Sequence, residues 1–130
     1  RVALAAKTVL SAHDSIPVLV FDEIDSNIGG EVGSAIGLKL ARVAAGHQVI
    51  CITHLPQTAV FGTTHFSVSK SEDAGRTRTA VRRLGEKERI DEIARMLGGR
   101  GMTSVVEKHA AEMLASAFSA KGKFLKGSKL

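Results

Sequence analysis

The chain has 130 residues, about one domain's worth. Apolar residues make up 44% and charged residues 24%, which excludes intrinsic disorder, collagen-like repeats and coiled-coil composition for the chain as a whole. No apolar run approaches the roughly 20 residues of a membrane span, no signal-peptide pattern opens the chain, and the single cysteine, Cys51, excludes a disulfide framework and a cysteine-cluster zinc site. With no Trp, no Tyr and five Phe, an aromatic base-stacking platform is disfavoured. The net charge of +5 is uneven: residues 1–60 hold four Lys or Arg against five acids, and residues 61–130 hold fourteen against eight. A basic second half can face phosphates, although Lys and Arg also solvate ordinary helix faces.

Residues 1–10 (RVALAAKTVL) are helix-forming from the first residue, with Val2, Ala5, Ala6 and Val9 at helical spacing and no cap before them. That abrupt start is expected of a helix cut in its interior, and of a fragment. After His13-Asp14-Ser15 the run Val18-Leu19-Val20-Phe21 predicts a strand buried on both faces of a parallel sheet. It ends in Asp22-Glu23 and a polar, glycine-rich loop, Ile24 to Gly30, at the edge where open α/β sheets bind ligands. Residues 31–45 predict a helix with Val32, Ile36, Leu40 and Val43 inward. A second strand follows over 48–53, ending at His54, and the β-loop-α-β order predicts a right-handed crossover between parallel neighbours. A short helix is expected over 57–61.

Residues 65–70 alternate as a strand, 71–75 (SEDAG) have turn composition, and 76–84 form a second strand. Together they predict an antiparallel hairpin with a five-residue loop. Amphipathic helices are expected over 86–97, with Ile90, Ile93 and Leu97 inward, and over 103–120, with Val106, Ala110, Met113, Leu114 and Ala117 inward. The tail from Lys121 carries four Lys and no acid and is expected to fray.

The chemistry is concentrated at the strand ends. A carboxylate at the end of a strand can hold Mg²⁺ through water, since Mg²⁺ keeps several waters and takes one or two protein carboxylates. A neighbouring Glu can polarise a water attacking a γ-phosphate. Acidic residues also simply begin loops, so the Asp22-Glu23 pair alone is a weak signal. His54 after a strand is ordinarily a structural residue, but adjacent parallel strands end at one edge, which places it with the acids. Cys51, inside an apolar strand, is expected to be an inert core thiol. His13, His47, His65 and His109 show no metal-ligand spacing, and Met96, Met102 and Met113 have the positions of core filler.

VLVFDEID, then SNIGG, a crossover helix and QVICITHLPQTA resemble the C-terminal half of the ATPase head of the RecN family, bacterial DNA-repair proteins of the structural-maintenance-of-chromosomes (SMC) group within the ABC-type ATPases. The resemblance continues through FSVSK, GRTRTAVRRL and ERIDEIARMLGG and covers roughly residues 1–115. It implies an α/β fold: the C-terminal half of a P-loop ATPase head, spanning residues 1–120, with residues 121–130 as a flexible tail. It also implies a cytoplasmic, nucleoid-associated ATPase of double-strand-break repair that uses ATP and Mg²⁺. Asp22 would be the Walker B ligand of Mg²⁺ through water, Glu23 the catalytic base and His54 the switch histidine at the γ-phosphate. Asp25, Ser26, Asn27, Gly29 and Gly30 would form the D-loop that meets the opposite subunit across the nucleotide. Gln57 is a family-typical position without an assigned role. The implied partners are the N-terminal half of the same head, a second copy through head engagement, and DNA, with no membrane. Arg76, Arg78, Arg82 and Arg83 alternate along the hairpin, so Arg76, Arg78 and Arg82 are expected to share a strand face as a possible DNA strip, although a solvated strand face is the plainer reading.

The chain departs from the family pattern: the signature motif, the Q-loop and the long coiled coil are missing from it, and the main departure is the phosphate loop. No G-x-x-x-x-G-K-[ST] loop occurs in the 130 residues, so nothing here cradles the β- and γ-phosphates. The polypeptide alone is therefore expected neither to bind ATP tightly nor to hydrolyse it. Two alternatives remain: another SMC or ABC-type head fragment, and a non-catalytic DNA-binding or head-dimerisation module.

Overall fold

A computed structural model describes residues 16–73, 75–99 and 103–127 of the chain. The helix expected over 1–10, His13 and Met102 lie outside the described residues. The elements run β1 (Val18–Asp22), α1 (Gly30–Val43), β2 (Gln48–Ile52), α2 (Pro56–Ala59), β3 (Phe66–Asp73), β4 (Arg76–Arg83), α3 (Glu86–Gly98) and α4 (Ser104–Gly127). β1 and β2 pair in parallel, Val18 opposite Gln48 and Asp22 opposite Ile52. β3 and β4 form a separate antiparallel pair.

One face of the parallel pair is closed by α1. Leu19, Ile36, Leu40 and Val43 are buried, and Phe21, Val49 and Cys51 pack with Ile36 and Leu40. The opposite face is bare, with Val20 63% and Ile52 52% exposed beside the exposed Val18 and Ile50. The expected burial on both faces is thus corrected. A continuous apolar run declares two faces fit for burial, but among the described residues only one helix is present to cover them.

α1 buries Gly33 and Gly37 along with Ile36, Leu40 and Val43, while Val32 remains exposed. The glycines let α2 come close. A Cβ at Gly37 would stand 3.1 Å from the Thr58 carbonyl and collide with Phe61, and one at Gly33 would stand 3.2 Å from Leu55 Cδ1. The Thr58 hydroxyl donates to the Gly33 carbonyl at 3.2 Å across this contact.

The second core lies among α2, α3 and α4. It consists of Val60, Ile93, Ala94, Ala110 and Ala117, with Ile90, Met96, Leu97, Val106, Met113 and Leu114 packed around it. The inward faces predicted for both long helices are the ones observed. Arg89 ties α3 to the turn after α2, its Nη2 donating to the carbonyls of Val60 (3.1 Å) and Gly62 (2.6 Å). The last helix does not stop near Ala120 but continues to Gly127. Helix-favouring Ala and Lys carry it onward, and Lys121 Nζ donates to the Phe61 carbonyl at 3.1 Å.

The hairpin is tighter than its composition suggested. Asp73 pairs with Arg76, so residues 71–73 of the five-residue loop expected at 71–75 belong to the strand and the reversal is a tight turn. Gly75 takes a φ of 75°, the left-handed conformation such turns demand and glycine supplies without strain. Phe66, Val68 and Val81, on one face of the hairpin, are exposed.

Candidate functional site

The site forms where β1 and β2 end. Because Asp22 stands opposite Ile52 in a parallel pair, Glu23 and His54 both follow from the same sheet edge. Side chains alternate along a strand, so Asp22 shares the bare face with Val18 and Val20, and it is exposed there with Glu23 and His54 beyond it. The register therefore brings residues 22, 23 and 54 to one sheet edge.

The backbone at Glu23 is held in place. Its φ is 46°, a left-handed conformation uncommon for a residue with a long side chain. It persists because both of its peptide groups are engaged. Its N–H donates to the Ile52 carbonyl at 3.0 Å. Its own carbonyl accepts from the Ser26 N–H at 3.1 Å and from Ser26 Oγ at 2.7 Å. A second left-handed residue, Asn27 at 59°, completes the reversal into α1, and asparagine tolerates that conformation readily. Backbone strain of this kind concentrates at functional sites.

Asp25 lies inside the loop with no exposed surface. One carboxylate oxygen, Oδ2, accepts a hydrogen bond from the Thr53 hydroxyl. The other, Oδ1, has no hydrogen-bond partner among the described residues. A buried polar atom left in that state costs about 1–3 kcal/mol. Burial, and after it the fields of Asp25 and Asp22, pushes the nearby Cys51 thiol up to about 11, so Cys51 is a protonated, unreactive thiol. The five expected D-loop residues therefore differ in situation: Asp25 is buried, Gly29 and Asn27 are exposed, and Ser26 and Gly30 are half-buried.

Two residues that sequence reasoning left without a role join this loop to the segment after β2. Thr53 Oγ1 accepts from the Leu55 N–H at 2.9 Å while donating to Asp25. Gln57 lies over Gly30, where a Cβ would come within 2.9 Å of its Nε2. The signal for Gln57 was the glycine spacing at 30, 33 and 37. Thr53 carried none beyond its place before His54.

The hairpin arginines divide between the two faces as their spacing predicts. Arg76, Arg78 and Arg82 share a face with Ser67, Ser69 and Ser71, whereas Arg83 lies on the other face opposite Phe66. Arg82 is engaged by Glu88, and the Gly85 N–H, followed by that contact, holds the Glu88 carboxyl below its ordinary range. Among the described residues, no three His, Cys, Asp or Glu side chains are grouped to hold a metal, and no helix is long and apolar enough to cross a membrane.

No protein-family model matches the chain. Curated proteins do. It is 44% identical over 121 residues to the DNA repair protein RecN of Halalkalibacterium halodurans, covering 93% of this chain and 21% of that protein. It is 40% identical over 121 residues to that of Bacillus subtilis, with the same coverage, and 45% identical over 115 residues to that of Deinococcus radiodurans, covering 88% of this chain and 20% of that protein. Among solved structures, one from work on ATP-driven dimerization and DNA-stimulated activation of SMC ATPases superposes with a TM-score of 0.57 at 18% identity, over 76% of this chain and 59% of that one. Over most of its length the chain is thus a RecN-like sequence, spanning about a fifth of the proteins it matches, on the fold of part of an SMC-type ATPase head.

Proposed function

We propose that this chain is the C-terminal, carboxylate-bearing part of a RecN-like ATPase head that acts in recombinational repair of DNA double-strand breaks. The observation that carries the reading is the parallel register of β1 and β2, which sends Asp22-Glu23 and His54 off one sheet edge within a sequence 40–45% identical to RecN proteins.

In this reading Asp22, an exposed carboxylate at the strand end, holds Mg²⁺ through water. A hydrated ion on one carboxylate needs no cage of protein ligands, which fits the donor set present. When bound, the ion neutralises charge on the β- and γ-phosphates. The Glu23 carboxylate takes the proton of the attacking water, and the His54 imidazole donates toward the γ-phosphate oxygens as charge builds there. The β- and γ-phosphates are cradled from outside these residues, by the N-terminal half of the same head, and that half covers the bare face of Val18, Val20, Ile50 and Ile52. A second copy meets the loop at Ser26, Asn27, Gly29 and Gly30, while buried Asp25 shapes the loop from within. Arg76 and Arg78 are the arginines placed to meet a duplex backbone.

The test is Glu23→Gln in the full-length protein. ATP turnover should fall about 100-fold or more while ATP binding is retained. Undiminished turnover would refute the reading.

A further inference from the structure

Resting on that reading, we propose that Thr53, oriented by the buried carboxylate of Asp25, is the positioning residue for His54. The hydroxyl has one proton to give. Two acceptors compete for it: the Asp25 carboxylate, in direct contact, and the Leu55 carbonyl, at 3.5 Å. A carboxylate accepts only and forms the stronger, charge-assisted bond, so the proton goes to Asp25. The Thr53 lone pair is then turned to the Leu55 N–H, which it meets at 2.9 Å.

That second bond spans His54. The side chain of the residue before the histidine grips the backbone of the residue after it, a local turn that fixes the intervening peptide units. The chain at His54 is therefore set by a buried acid that belongs to the other strand's loop. A second link runs in parallel: Gln57 lies against Gly30 at the end of that loop. The loop from Asp25 to Gly30 and the segment from Thr53 to Gln57 thus move together, so a contact made on the loop by a second copy reaches the imidazole through Thr53. Asp25, fully buried with one oxygen unpartnered among the described residues, is a costly group for a loop to keep unless its position is used.

The experiment uses the full-length protein and compares Thr53→Ser, Thr53→Val and Thr53→Ala by steady-state ATP turnover, with Glu23→Gln alongside. Serine keeps the hydroxyl and should hold kcat within about threefold of the parent. Valine keeps the shape without the hydroxyl and should lower kcat about tenfold or more, leaving KM for ATP within about twofold. Alanine, which cannot clash, should match valine and stands in for it should valine fail to fold by circular dichroism. A hydroxyl-free variant with kcat within about twofold of the parent would overturn the proposal. So would a serine variant as slow as valine, or a rise in KM at unchanged kcat. If Glu23→Gln abolishes turnover while the Thr53 variants do not change it, only the role of Thr53 falls; if Glu23→Gln leaves turnover intact, both fall.

Discussion

Around Ile93 the chain packs three helical segments with apolar side chains alone. Around Ile36 and Leu40 it packs one helix against two strands whose other face is bare and whose edge carries a buried acid and two left-handed residues. The first region follows the rules of a stable core: periodic helices, no fully buried charged side chain, and a tether through the half-buried Arg89, whose Nε has no partner among the described residues. The second departs from those rules wherever the proposed chemistry lies. Stability and function have been assigned to different halves, and a change in one half should leave a different trace from a change in the other.

The largest effect should come from the helical core. Ile93→Ala removes a side chain with no exposed surface and should cost about 3 kcal/mol, read from the denaturant midpoint of the folded protein. A loss below about 1 kcal/mol would mean that this core is not where stability resides.

A smaller loss is expected at the junction beneath the site. Gly37→Ala places a Cβ against Phe61 and 3.1 Å from the Thr58 carbonyl, and one of these is backbone that cannot swing away. The expected cost is about 2 kcal/mol. Because α1 carries the loop at its N-terminus, turnover in the full-length protein should fall with it, unlike an equal loss made at Ile93. Equal turnover in the two variants would erase the distinction between the halves.

The smallest effect is a pH dependence confined to the strand pair. The Cys51 thiol is raised from 9.0 to about 11 by burial, then by Asp25 and Asp22. Below pH 9.0 the thiol is protonated both folded and unfolded, so it contributes no slope. Between 9.0 and about 11 the unfolded chain ionises first, and stability falls as pH rises. Cys51→Ala should remove that part of the slope in denaturation curves taken across the interval; identical slopes in the two proteins would contradict the placement of the thiol beside the acids.

The order of elements, the parallel pair, the hairpin and the inward faces of α3 and α4 were legible because each rests on side-chain periodicity. Val18 and Val20 were misjudged because periodicity reports which faces are apolar, not what lies against them. Val32 was expected inward, yet Gly33 and Gly37 occupy the contact with α2, since hydropathy counts side chains and this contact is made by backbone. SEDAG has loop composition, but its first three residues pair in the strand and Gly75 takes the left-handed conformation of the turn. At the proposed site, Asp22, Glu23 and His54 were singled out through the chemistry of their side chains. Thr53 was passed over because a threonine before a histidine has no chemistry of its own; its proposed role rests on Asp25, a partner 28 residues away.

The left-handed turn at Glu23 has a consequence for anyone reshaping this protein. Glycine would relax that peptide by about 1 kcal/mol, so a library ranked only by survival at high temperature should drift toward glycine there and, on the proposed role of Glu23, return hardier, inert molecules. A library ranked by phosphate release should keep the acid and accept the lower melting point.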